Sequence, residues 1–158
     1  MTSPLENPIS GKENAFDPAQ PLSALSQFYR ALNSRDLALM EQNWDNSDAA
    51  AMDNPLGGIS RGWPEIRSVY GRLFAGKSRY HFEFYDYTVQ RHGEVFMAIG
   101  RERGYFAPPA STSFDLAIRT TRIFVWRDDR WRQIHHHGSI DDPEMLARYR
   151  QGVFVRAA

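Results

Sequence analysis

The stretch TRIFVWRDDRWRQIHHHGS, Thr121–Ser139, decides the architecture. Aromatic and β-branched residues fill both halves, and Asp128-Asp129 between them is a turn signal, so the stretch reads as a β-hairpin. Moving toward the N-terminus, the same composition extends the first arm back to Phe114 and recurs in Val95–Phe106 and Tyr80–Gln90. Pro108-Pro109 and His92-Gly93 break these runs. With Trp131–Ile140 closing the series, four long strands follow one another, which predicts an antiparallel meander.

The chain ahead of the meander has a helical period. Leu22, Leu25, Phe28, Tyr29 and Leu32 predict a helix from Pro21 to about Asn33, and Ser34 is placed to cap a second, short helix carrying Leu37, Met40 and Trp44. Ala49–Asp53 predicts a short strand, and Pro55, Gly57 and Gly58 a loop. Trp63, Ile66, Val69, Tyr70, Leu73 and Phe74 make the apolar stripe of a third helix, with Pro64 suited to its first turn. Three helices followed by a run of strands is an α+β pattern. A strongly curved antiparallel sheet over those helices predicts a cone-shaped barrel with a pocket at its mouth. Residues 1–20, polar and bearing Pro4, Pro8 and Pro18, predict a flexible N-terminal tail; residues 21–141 form the domain; residues 142–158 form a C-terminal extension with a short helix beginning at Asp142-Pro143.

Composition bounds the function. The chain has 158 residues, 42% of them apolar and 24% charged, the make-up of one globular domain. It holds no cysteine, which excludes disulfides, thiol catalysis and thiolate-held metal clusters. The 19 basic and 19 acidic residues cancel, so the basic excess of a nucleic-acid binder is missing. No apolar run is long enough for a membrane span. MTSPLENPISGKENAF carries no secretory pattern, so a cytoplasmic protein is expected.

Three stretches together resemble the nuclear transport factor 2-like superfamily, and within it the SnoaL-like branch and the association domain of calcium/calmodulin-dependent protein kinases. They are Thr121–Ser139 with its closing His-x-His-x-Ser, MAIGRERGY at Met97–Tyr105, and MDNPLGG at Met52–Gly58 before the third helix. The last is also similar to the strand–loop–helix of ketosteroid isomerases. The resemblance spans roughly residues 21–141 and implies a homodimer formed through the outer face of the sheet. Strand alternation, oriented by this similarity, places Trp131, His135, His137, Phe96 and Ala98 on that outer face.

The resemblance also implies a pocket. The association domain has three arginines at the positions of Arg101, Arg122 and Gly138, so two remain here. A histidine and a tryptophan of that pocket are replaced by Ile66 and Phe74. Arg101 and Arg122 read as a clamp for an anionic small molecule, bound by charge-assisted bonds; alternatively, internal carboxylates such as Asp53, Asp115 or Glu102 pair with them. Ile134, His136 and Gly138 share one strand face, and Tyr29 and Tyr70 face inward from helices, so Asn54, Tyr70, Ile134 and His136 complete the expected lining. Asn54 stands where ketosteroid isomerases carry their proton-moving aspartate, and an amide is no general base. Arg122 stands at their acidic oxyanion donor. Both departures argue against steroid isomerisation. A different cofactor-independent isomerase, lyase or cyclase would draw on His136 or Tyr29. The favoured reading is a pocket protein that binds a small acidic or oxygenated organic molecule in the cone, with that enzyme and an assembly domain as the alternatives. His135 and His137, completed by His81 and Glu83, would be the metal alternative; the family pattern carries these histidines without metal, so neither metal nor cofactor is expected.

Overall fold

The computed structural model describes residues 3–14 and 16–154. Its elements run α1 (Pro21–Ser34), α2 (Leu37–Asn43), β1 (Ala51–Asp53), β2 (Ser60–Arg61), α3 (Trp63–Ala75), β3 (Arg79–His92), β4 (Val95–Ala107), β5 (Phe114–Arg127), β6 (Arg130–Ser139) and α4 (Pro143–Phe154). The fold is α+β, as expected, with a six-stranded sheet in the order β2-β1-β6-β5-β4-β3. The edge strands β2 and β3 do not meet, so the sheet curls without closing. The meander is antiparallel, but β1 lies parallel to β6, with Met52 opposite His136. The two-residue strand β2 carries no pattern long enough to read from sequence.

Local chemistry sets the elements. Pro21 fits the first turn of α1, and Arg35, at φ 58°, ends it. Asp36, rather than Ser34, caps α2: its carboxylate accepts from the Leu39 amide at 2.9 Å. Ser34 still belongs to α1, where its hydroxyl donates to the Arg30 carbonyl. Asp128 and Asp129 both take positive φ, and Arg127 pairs with Arg130 across them, a two-residue hairpin turn matched to strand twist.

Two bulges bend the sheet. In β3, the register slips between Tyr85 and Thr88, around Asp86 at φ 48°. In β6, Ile123 pairs with His135 but Phe124 with Gln133, leaving Ile134 as the extra residue. A bulge adds twist and reverses the face on which later side chains stand. The bend at β3 presses Tyr87 onto β4, where a Cβ on Gly100 would lie 2.5 Å from the Tyr87 Cβ. Only glycine fits there.

The core lies between the inner face of the sheet and the helices, with Leu25, Phe28, Tyr29, Trp44, Phe84, Phe96, Phe124 and Trp131 almost wholly buried. This corrects the expected interface: Trp131, Phe96 and Ala98 point into the core and only His135 and His137 remain outward. The N-terminal segment differs from the expected tail as well. Leu5 and Ile9 donate backbone hydrogen bonds to Tyr87 and Phe84 of β3, each at 2.8 Å, and Ile9 is buried. Arg30 holds the segment from α1 by donating to the Gly11 carbonyl. The segment thereby covers an otherwise bare sheet edge. Residues 1, 2, 15 and 155–158, which fall in the expected tail and extension, lie outside the described residues. Among the described residues, no helix is long and apolar enough to cross a membrane.

Candidate functional site

The inner face of the sheet, α1, α3 and α4 enclose a cavity of about 490 Å³, within the usual range for a small-molecule site. Phe28 and Leu32 of α1, Val69 and Leu73 of α3, Phe82 of β3 and Ile118 of β5 give it apolar walls. Asn54, Tyr70, Glu102, Arg122 and His136 supply polar groups. Tyr149 and Val153 bring α4 into the lining, so the expected extension is part of the site.

Strand pairing decides which side chains reach it. Arg122 lies directly opposite Ala98 on one side and His136 on the other, and opposed residues share a face. The inner set on β4 is therefore Phe96, Ala98, Gly100, Glu102, Gly104 and Phe106. Arg101 belongs to the other set. Its side chain is half exposed on the outer face and pairs with Asp86 at 2.9 Å. The two-arginine clamp is thus corrected: Arg101 and Arg122 stand on opposite sides of the sheet, and Glu102 takes the expected place of Arg101.

Arg122 is 1% exposed and fully engaged. Its Nη2 donates to Glu102 Oε1 at 2.6 Å, its Nη1 to Gln133 Oε1 at 2.7 Å, and its Nε to the Tyr29 hydroxyl at 3.3 Å. The guanidinium carbon sits 3.6 Å above the Phe28 ring centre, a cation–π contact. Tyr29 in turn donates to Glu102 Oε1 at 2.5 Å. Burial works against the charge on Arg122, but Tyr29 and Glu102 beside it raise its pKa above the ordinary value. Burial likewise lifts the Tyr29 hydroxyl well above the normal tyrosine range, so it stays protonated and committed to Glu102.

His136 is buried, and its Nδ1 has no hydrogen-bond partner among the described residues. Burial first, and the nearby Arg122 charge second, push its pKa well below that of free histidine, so the ring is neutral. Tyr70 lines the same cavity, with burial raising its pKa to about 12. Asn54 stands at the mouth, but its side-chain oxygen accepts from the Leu56 amide at 3.0 Å and shapes the loop.

The other expected lining residues lie elsewhere. Ile66 is fully buried in the core, Phe74 leans on the Tyr70 ring 5.8 Å away, and Ile134 is the bulge residue of β6. His81 and Glu83 lie on β3, three strands from β6 and so about 14 Å away, too far to share an ion with His135 and His137. Sequence reasoning missed Gln133, and it offered Glu102 only as one of three possible internal partners for the arginines, the role Glu102 takes with Arg122. A signal for Glu102 was present: its parity set on β4 holds one charge among apolar and small residues, whereas the other set holds both Arg101 and Arg103. Gln133 had no such signal, because the bulge at Ile134 puts it out of phase with His136.

A search of curated proteins finds no match. Among solved structures, a putative dehydratase of the NTF2-like family from Streptomyces avermitilis superposes with a TM-score of 0.69 at 19% identity, covering 74% of this chain and 91% of the other. A putative calcium/calmodulin-dependent protein kinase type II association domain from Thiobacillus denitrificans gives 0.64 at 24% identity, over 82% and 100% of the two chains. The calcium/calmodulin-dependent protein kinase II hub of S. rosetta gives 0.64 at 18%, over 78% and 99%. At these identities the likeness establishes the cone fold and leaves the chemistry to the site itself. The SnoaL-like domain profile matches residues 22–143, most of the chain and all six strands, and on that ground the protein belongs to the SnoaL-like domain family of the NTF2-like superfamily.

Proposed function

We propose that the cone binds a small, largely apolar molecule bearing a neutral oxygen function, and that it does so without chemistry of its own. The observation that carries this reading is the Arg122–Glu102 pair. The buried arginine on the cavity floor already has its counter-charge, and Arg72, the second arginine in the lining, is solvent-exposed and donates to the Ser68 hydroxyl, so the buried part of the site has no uncompensated positive charge to recruit an anion. Apolar walls would hold the body of the ligand, while the neutral imidazole of His136 and the hydroxyl of Tyr70 would orient its oxygen. The same geometry weakens the catalytic alternative. The Tyr29 hydroxyl is spent on Glu102, and protonating His136 beside Arg122 is unfavourable, which makes it a poor base. Likeness to association and hub domains supports self-association as a further part of the proposal, with the exposed outer-face residues Ile99 and Tyr105 available to it.

A thermal-shift panel of matched small ketones, alcohols and carboxylates tests the reading. Neutral oxygenated compounds should raise Tm, and Leu73→Trp, which fills the cavity from its helical wall, should remove the gain while leaving a cooperative transition. A response to carboxylates alone, or to nothing in the panel, would overturn it.

A further inference from the structure

The three consecutive histidines divide between two environments. His136 turns into the cone, while His135 and His137 stand on the opposite face of β6. The parallel strand β1 brings Asp53 directly opposite His137 and Ala51 opposite His135. One ligand-type atom from each of Asp53, His135 and His137 then lies within 4.8 Å of the other two. We propose that Asp53, His135 and His137 form a divalent transition-metal site on the outer face of the sheet, with zinc the best-fitting ion.

The hydrogen bonding already present suits metal binding. His135 Nδ1 lies 3.1 Å from the Ala51 carbonyl oxygen. A carbonyl only accepts, so Nδ1 carries the proton and Nε2 is left with its lone pair free. Ligand histidines are oriented in this same manner, the second ring nitrogen donating to a backbone carbonyl. His137 Nδ1 stands 3.5 Å from Asp53 Oδ2. That is long for a charge-assisted hydrogen bond. It matches the roughly 3.4 Å between two ligands on a tetrahedral ion bound at about 2.0–2.1 Å. The other carboxylate oxygen, Asp53 Oδ1, is buried without a hydrogen-bond partner among the described residues. A cation between the strands would satisfy it.

Two imidazoles and one carboxylate favour zinc and its first-row neighbours over magnesium or calcium, which prefer all-oxygen sites. Three protein ligands leave a fourth position to water. The ion would tie β1 to β6 just before the Asn54–Gly58 loop at the cavity mouth, and would therefore add to folding stability. His137 is 57% exposed on its side chain, so the site is open to solvent.

The test uses the untagged full chain, stripped with chelator and titrated calorimetrically with Zn²⁺, with Co²⁺ absorbance as a second readout. The expected result is one ion per chain, a rise in Tm on adding Zn²⁺, and tetrahedral or five-coordinate Co²⁺ bands. His137→Ala and Asp53→Asn should each weaken binding about tenfold or more and remove the Tm gain. His92→Ala, on the exposed β3–β4 turn, should change neither. Since His137 is exposed, its variant keeps the fold, which far-UV circular dichroism checks. Absence of saturable binding, binding that survives the paired His137→Ala/Asp53→Asn variant, or equal loss in His92→Ala would each overturn the proposal.

Discussion

Arg122 and Arg101 carry the same guanidinium on adjacent strands of one sheet, yet they live in different solvents. Arg122 is 1% exposed on the inner face, paired with Glu102 at 2.6 Å and roofed by Phe28. Arg101 is 51% exposed on the outer face, paired with Asp86 at 2.9 Å. The two distances are nearly equal, so distance does not distinguish the pairs. Burial does. On the inner face each partner has given up its water, and neither can lose the other cheaply. On the outer face water and salt replace a lost partner at once.

The sharpest way to break this comparison is to remove one partner of the inner pair. Arg122→Met leaves Glu102 buried with only the Tyr29 hydroxyl to satisfy it, and should lower the unfolding free energy by about 3–5 kcal/mol. Urea denaturation measures it. Replacing both partners, as in Arg122→Met with Glu102→Leu, should recover much of the loss, because no unpaired charge then remains inside. A single-variant loss below about 1 kcal/mol would put the inner pair in the same class as the outer one.

The same contrast explains what could be read in advance. Strand existence was legible, since long aromatic and β-branched runs between turn residues leave few alternatives, and the α+β class followed from their order. Facing was legible only where alternation is unbroken. On β5 Ile118, Thr120, Arg122 and Phe124 alternate without a break, and all four face in. On β4 the alternation itself was right, but its direction depends on how β4 registers against β5 across the loop from Pro108 to Ser113, and a one-residue change there exchanges Arg101 for Glu102. On β6 the bulge at Ile134 moves Trp131 and Gln133 to the face of His136. Bulges arise from the curvature demanded by the whole sheet, so no local pattern announces them. The docked N-terminal segment is similar. Its composition is that of a tail, and what orders it is an unpaired edge elsewhere in the molecule.

His136 and its neighbours sharpen the comparison through pH. The folded pKa of His136 lies below its unfolded value near 6.5, owing to burial and then to Arg122. The unfolded chain therefore takes up the proton first as pH falls, and the stability His136 contributes is present above about pH 6.5 and lost below it. Below that point the loss from this one group should grow as pH falls, on the order of 1 kcal/mol per pH unit while the folded ring stays neutral. Comparing wild type with His136→Gln between neutral pH and about pH 5.5 isolates it from carboxylate titration. Parallel stability profiles for the two proteins would show that His136 takes up its proton as easily folded as unfolded.

The smallest effect belongs to the outer arginine. Arg101→Ala removes an ion pair whose two side chains are each about half exposed, and both ions regain hydration when the pair is lost. Exposed pairs of this kind contribute about 0–1 kcal/mol, and the contribution shrinks with added salt. Urea denaturation of Arg101→Ala should therefore give a change near the lower end of that range, smaller still in about 1 M salt, where the screening length is only about 3 Å. The variant should also leave ligand-induced thermal shifts unchanged, because the Arg101 side chain stands on the face of the sheet opposite the cavity. A loss comparable to that of Arg122→Met, or an altered ligand response, would mean that the outer face is covered in solution and that Arg101 is buried there.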